Sequence, residues 1–188
     1  HLLDLIIGRH SEVEGLSLSR QNVVAGPGSS SFLTAFAFWL RRAGYTDIHY
    51  VPPLYHTFYF LAGSLGINTI PVTSHHAYEQ EFTLDLPSRQ SVLMLCDPIW
   101  YAGKCVPKVH IDIIAGWQRA TKSLVFVDGS FQYMKWSGER SETTAALDPE
   151  LTFRLVCPAK TLATPIFRFA YLLHPTKLHD DLLFLYES

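Results

Sequence analysis

Several things are scarce in this sequence, and each shortage removes a class of protein. Its 188 residues include only three cysteines, Cys96, Cys105 and Cys157. They form no C-x-x-C pair and leave one over, which argues against a disulfide framework and fits free thiols in a reducing, cytoplasmic setting. Histidine and cysteine do not cluster as a zinc site requires, and the adjacent His75 and His76 point to different sides of any regular element, so no metal is expected. No run of 18 apolar residues occurs, which argues against a membrane span, and no signal peptide is visible at the start. Charged residues make up 17% and the net charge is -2, so neither a nucleic-acid surface nor a polybasic membrane patch is expected. G-K-[ST] and G-x-S-x-G are both missing, which sets aside a Walker loop and a serine hydrolase elbow. There is no internal repeat, low-complexity tract or linker that divides the chain. Residue 1 is His rather than Met, and the sequence reads as a piece of a longer chain.

What is abundant is apolar and aromatic. Hydrophobic residues make up 48%, with twelve Phe, nine Tyr and four Trp. That is enough for one domain burying roughly 70% of its unfolded surface, with aromatics to spare for a buried interface.

Along the chain, short apolar strands alternate with helices. Leu2 to Ile7 predicts a short helix ended by Gly8, and Ser11 to Arg20 a polar connection. Asn22 to Ala25 predicts a strand that runs into Gly26-Pro27-Gly28-Ser29-Ser30-Ser31 and then a helix over Phe32 to Arg42, with Phe32, Leu33, Phe36, Trp39 and Leu40 on one face. Further strands are predicted at Asp47–Val51, Asn68–Val72, Ser91–Cys96, Ser123–Val127, Phe153–Cys157 and Phe167–Leu173. Helices are predicted at Tyr55–Leu65, His110–Thr121 and, capped by Thr176, Lys177–Tyr186. Several strands are apolar throughout, as strands buried on both faces are. The expected class is α/β, a three-layer α/β/α sandwich with a mostly parallel central sheet.

In such sheets ligands bind beyond the C-terminal ends of the strands. The residues expected there are Gly28, Ser29, Ser30, Tyr55, Asp97, Asp128, Lys160 and, close behind, Arg168. The Gly/Ser turn suits an anion at a helix N-terminus, or equally a serine-capped helix. Lys160 directly follows an apolar strand. Buried lysine is rare unless paired, so the residue is either a solvated loop lysine or an amine desolvated to act as a nucleophile. A phosphate turn, an aromatic ring, carboxylates, an amine and a guanidinium together match the needs of pyridoxal phosphate. The amine forms a Schiff base, a carboxylate keeps the pyridine nitrogen protonated, and a helix N-terminus with an arginine holds the phosphate.

With these residues the chain resembles the fold-type I pyridoxal-phosphate enzymes, most closely the class I/II aminotransferases, over nearly its whole length. The family pattern S-x-S-K…R-x-G-Y resembles Cys157-Pro158-Ala159-Lys160…Arg168-Phe169-Ala170-Tyr171, with the same eight-residue spacing. The resemblance implies that Lys160 carries the Schiff base and shuttles the substrate's α-proton, that Arg168 clamps the phosphate, and that Asp128, in Asp128-Gly129-Ser130-Phe131, pairs with the pyridine nitrogen. Gly28, Ser29 and Ser30 resemble the phosphate loop, and Tyr55, or Tyr59 one turn on, the ring that stacks on the cofactor. Asp97-Pro98-Ile99-Trp100-Tyr101-Ala102-Gly103 resembles N-P-x-N-P-x-G and places Asp97 among the cofactor residues. Two departures stand out. Trp100 and Phe131 fall where the family has the Asn and Tyr that contact the cofactor's 3-oxygen.

The resemblance implies a single cofactor-binding large domain over residues 1–188, in a truncated or minimal version lacking the small domain. It implies amino-group transfer between an amino acid and a 2-oxo acid, and a homodimer. Two alternatives stay open: a non-catalytic dimerisation or binding module of the same fold, or a pyridoxal-phosphate lyase, decarboxylase or cyclase acting on an amino acid.

Overall fold

A computed structural model of the protein describes residues 1–134, 142–164 and 166–187, with the backbone alone at residues 142 and 185–187. Its centre is one seven-stranded sheet. The strands are β1 (Val23–Gly26), β2 (Asp47–Tyr50), β3 (Asn68–Pro71), β4 (Val92–Cys96), β5 (Leu124–Gly129), β6 (Thr152–Val156) and β7 (Ala170–Leu173). Their order across the sheet is β1-β7-β6-β5-β4-β2-β3. All pairings are parallel except those of β7, which runs antiparallel to both β1 and β6. The expected mostly parallel sheet is therefore present.

The period-two alternation of side chains along each strand sorts the core into two sides. Leu124 and Phe126 of β5, Val92 and Met94 of β4, and Phe153 and Leu155 of β6 join one cluster. That cluster is completed by α2 (Ser29–Arg42), α3 (His56–Ser64) and α7 (His179–Glu187), through residues such as Phe36, Phe58 and Leu182. Val125 and Val127 face the other way, onto Ile111 and Ile114 of α4 (Lys108–Thr121). Tyr171 and Leu173 also face that way, onto Ile6 of α1 (Leu2–Glu14). Helices thus cover both faces, which gives the three layers. Among the described residues no helix is long and apolar enough to cross a membrane, and the three cysteines are free.

Four local features differ from the sequence-based expectation. The first helix does not end at Gly8 but runs to Glu14, where Gly15 closes it in the left-handed conformation at φ 68°. A glycine inside a helix costs about 1 kcal/mol. The buried face formed by Ile6, His10 and Glu14, spaced four residues apart, offsets that cost. The last strand is shorter than predicted and begins at Ala170, so Phe167 and Arg168 lie outside it. Lys160 sits in a single helical turn, α6 (Pro158–Thr161), rather than at a strand end. A short helix not anticipated from the sequence, α5 (Glu142–Ala146), packs on α4.

Phe36 is the hub of the α2 side, fully buried and in ring contact with Trp39, Phe58, Phe126 and Phe153. Phe36→Ala is expected to cost about 3–5 kcal/mol, read from urea unfolding. A second prediction concerns pH. His174, just after β7, is buried, its Nδ1–H donates to the Pro175 carbonyl at 3.0 Å, and burial pushes the ring down to about 4. The unfolded ring takes its proton near pH 6.5, well before the folded one. Stability from this group is therefore complete above pH 6.5 and falls as the pH drops toward 4, by about 3 kcal/mol over the whole interval. In His174→Gln, unfolding midpoints measured between pH 6.5 and 4.5 should lose most of that slope.

Candidate functional site

The same alternation that builds the core aims the residues just past it. Cys96, at the end of β4, and Asp128, at the end of β5, are register partners and continue the α2-facing rows of Met94 and Phe126. Cys157, just after β6, continues the row of Leu155. The edge of the sheet beside the N-terminus of α2 therefore receives a carboxylate and, one turn past Cys157, the Lys160 amine.

Two adjoining cavities open at this edge. The smaller, of about 160 Å³, is lined by Tyr55, Trp100, Asp128 and Ser130 together with Ser29, Phe131 and Lys160. The larger, of about 480 Å³, shares Ser29, Phe131 and Lys160 and adds Gly28 and Arg168. The Lys160 Nζ stands 4.3 Å from the centre of the Phe131 ring, a cation over an aromatic face. Tyr55 stands edge-on to Trp100 with ring centres 6.0 Å apart.

Gly28 caps α2 at φ 104°, and a Cβ there would stand 3.1 Å from Arg168 Nη2. Two positive features are thus pressed together: the guanidinium and the N-terminal end of a 14-residue helix. An anion between them relieves the repulsion, and backbone N–H groups at such a helix end are suited to a phosphate. Asp128 is held from below. Its Oδ1 accepts the Ser130 N–H at 3.0 Å, and Gly129 lets the turn close, since a Cβ there would stand 3.0 Å from both the Leu155 carbonyl and Gln132 Oε1. Burial, with the Asp128 and Asp97 carboxylates adding to it, pushes the Cys96 thiol well up, so it stays protonated.

The turn that carries Asp128 rests on α1. Gln132 Nε2 donates to Glu14 Oε1, and the Tyr133 hydroxyl donates to the same oxygen at 3.3 Å. His10 bridges Glu14, at 2.7 Å, and the Tyr171 hydroxyl, at 2.8 Å. Burial alone would raise the Glu14 carboxyl. The hydrogen bond and charge of His10, with Arg154 nearby, outweigh it and hold the group below its ordinary value. Burial, then the Glu14 carboxylate, pushes the Tyr133 hydroxyl up to about 12.

The structure brings together Gly28, Ser29, Tyr55, Asp128, Lys160 and Arg168, all read from the sequence as site residues. It leaves three others apart. Ser30 is exposed on the first turn of α2 and lines neither cavity. Tyr59 is exposed and stands edge-on to Phe60. Asp97 is fully buried and follows Cys96, so alternation sends it to the opposite side. There its Oδ1 accepts the Val106 N–H at 3.1 Å and its Oδ2 the Thr143 hydroxyl at 2.8 Å. Ser130, not picked out from the sequence, does line the site. The one sequence signal for it was a hydroxyl in an otherwise apolar turn between Asp128 and Phe131.

Gly28→Ala is expected to cost about 1–3 kcal/mol, because the new Cβ meets the guanidinium and the backbone is left-handed. Adding Arg168→Ala should return part of that loss, so the two changes will be non-additive in urea unfolding.

No family model matches the chain, and no curated protein matches it in sequence. Solved structures match it in fold. A double mutant of Thermus thermophilus aspartate aminotransferase superposes with a TM-score of 0.81 at 16% identity, covering 99% of this chain and 50% of its own. YbdL from Escherichia coli, described as having a methionine aminotransferase function, gives 0.82 at 13% identity, with 99% and 50% covered. The aminotransferase AspB from Helicobacter pylori gives 0.79 at 15% identity, with 98% and 52% covered. The chain spans about half the length of the structures it matches. With β7 antiparallel inside a parallel sheet and helices on both faces, it has the large-domain fold of the fold-type I aminotransferases.

Proposed function

We propose that the protein binds pyridoxal 5'-phosphate at the Lys160 edge and serves amino-group transfer between an amino acid and a 2-oxo acid. One observation carries this reading: the two cavities share Ser29, Phe131 and Lys160, and together they join the Asp128 carboxylate to the Gly28–Arg168 cradle. The donor set fits the group. Gly28, the N-terminus of α2, Ser29 and Arg168 would hold the phosphate. Asp128 would face the pyridine nitrogen, and Tyr55 would lie against the ring. When bound, the cofactor supplies an aldehyde that condenses with amines and a ring that withdraws electron density from the substrate's α-carbon.

The chain's own residues do the rest. Asp128, fixed by the Ser130 N–H, keeps a proton on the ring nitrogen. Lys160 supplies the amine and, from its place over Phe131, receives and returns the α-proton. Apolar walls such as Leu33 and Phe131 exclude water from the smaller cavity. A homodimer belongs to the same reading, in which a second copy covers exposed rings such as Tyr59 and Phe60 on α3.

One observation favours a second reading, a binding module of the same fold without catalysis. Phe131, which lines the smaller cavity, has no hydrogen-bond donor where the family has a tyrosine hydroxyl.

The Lys160 adduct tests the cofactor assignment, and turnover separates the two readings. Adding pyridoxal phosphate should give a visible absorption band, and borohydride should fix the cofactor to Lys160, located by peptide mass mapping. Lys160→Ala should abolish both. A band of equal strength in Lys160→Ala would remove the assignment, and a band without 2-oxo acid production from any amino acid would favour the binding module.

A further inference from the structure

We propose that the Ser130 hydroxyl donates a hydrogen bond to the phenolic oxygen of pyridoxal phosphate bound in the smaller cavity, an inference that rests on the cofactor reading above. Ser130 is 3% exposed, and its Oγ has no hydrogen-bond partner in the protein. A buried hydroxyl left unpaired is costly. Among the described residues, the other buried side-chain atoms without a partner belong to His110, Gln132, Thr144, His174 and His179, and none of these lines either cavity of the site. The unpaired Ser130 hydroxyl does line one, so its missing partner is an acceptor that enters with a ligand.

The chemistry of the cofactor selects the acceptor. Pyridoxal phosphate has a phosphate, a ring nitrogen, and a phenolic oxygen beside its aldehyde. The phosphate belongs with Gly28 and Arg168 in the larger cavity, which Ser130 does not line. The ring nitrogen would be protonated opposite Asp128 and so would be a donor. The aldehyde carbon is committed to an amine. The phenolic oxygen remains. Phe131, the next residue of the same turn, cannot serve it, because its ring has no donor. The turn also fixes the hydroxyl in place, since the Ser130 N–H is held by Asp128 Oδ1 at 3.0 Å and the Gln132 N–H by the Gly129 carbonyl at 2.8 Å.

The test compares wild type with Ser130→Ala, each titrated with pyridoxal 5'-phosphate and with 3-deoxypyridoxal 5'-phosphate, which lacks the phenolic oxygen. Binding is followed by tryptophan fluorescence, and unliganded stability by urea unfolding. Ser130→Ala should weaken pyridoxal phosphate about tenfold, the scale of one hydrogen bond to a charged group, and leave the deoxy analogue unchanged. The unliganded midpoint should stay the same or rise, because no bond within the protein is lost. Equal pyridoxal phosphate affinity in the two proteins would overturn the role of Ser130 and leave the cofactor reading standing. So would an equal loss for both ligands with a lowered midpoint, which marks a structural role. No binding by folded wild type at millimolar pyridoxal phosphate would overturn both.

Discussion

The close approach of Arg168 to Gly28 is the contact on which the site depends, and strand direction produces it. β7 lies between β1 and β6 and runs against both, with Ala170 opposite Gly26. The chain therefore enters β7 at the edge where β1 leaves the sheet, and Arg168, two residues before β7, meets Gly28, two residues after β1. Were β7 parallel, its entry would lie at the opposite edge and the guanidinium would be a strand-length away. The antiparallel direction of β7 is thus what brings the guanidinium onto the start of α2, and the missing side chain at Gly28 is what lets the two approach closely.

Charge then gives the site its direction. A helix N-terminus and a guanidinium lie at one end, and a carboxylate at the other. The Lys160 amine lies between, over an aromatic ring rather than in a salt bridge with Asp128. A ligand negative at one end and cationic in its ring fits this layout, and a uniformly charged one does not. The Asp128 end is stiffened from behind by Glu14, His10 and Tyr171, a buried polar group that links α1 to the turn after β5. Such groups are costly to bury unless fully bonded. Here the bonding also explains why α1 continues past Gly8 to place Glu14 under Gln132.

Much of this was legible in the sequence, because strand periodicity and strand-end chemistry are local signals. The apolar runs ending in Cys96 and Val127 marked β4 and β5, and the turn after Ala25 marked the start of α2. The strand ends put Lys160 at one edge with Arg168 close behind, and the eight-residue spacing between them belongs to the family pattern that the chain resembles. Other features were not local. Asp97 and Asp128 look alike as strand-end carboxylates, and only the phase of alternation, fixed by Cys96 pairing with Asp128, shows that Asp97 turns into the interior toward Val106 and Thr143. The reach of α1 depended on partners more than a hundred residues away, such as Gln132 and Tyr171. Ser130 carries no comparable local signal, because an unpaired hydroxyl is visible only once its surroundings are.

On this reading Arg168 with the start of α2, Lys160 and Asp128 form one asymmetric site for a single ligand. Visible-region circular dichroism of the protein with added pyridoxal phosphate tests it most directly, because the cofactor is achiral and gains optical activity only when held in a fixed, handed environment. The expected result is an induced band that saturates at one equivalent per chain and that inorganic phosphate displaces competitively, since both compete for the same cradle. Absorbance without induced optical activity, or a band indifferent to phosphate, would contradict it.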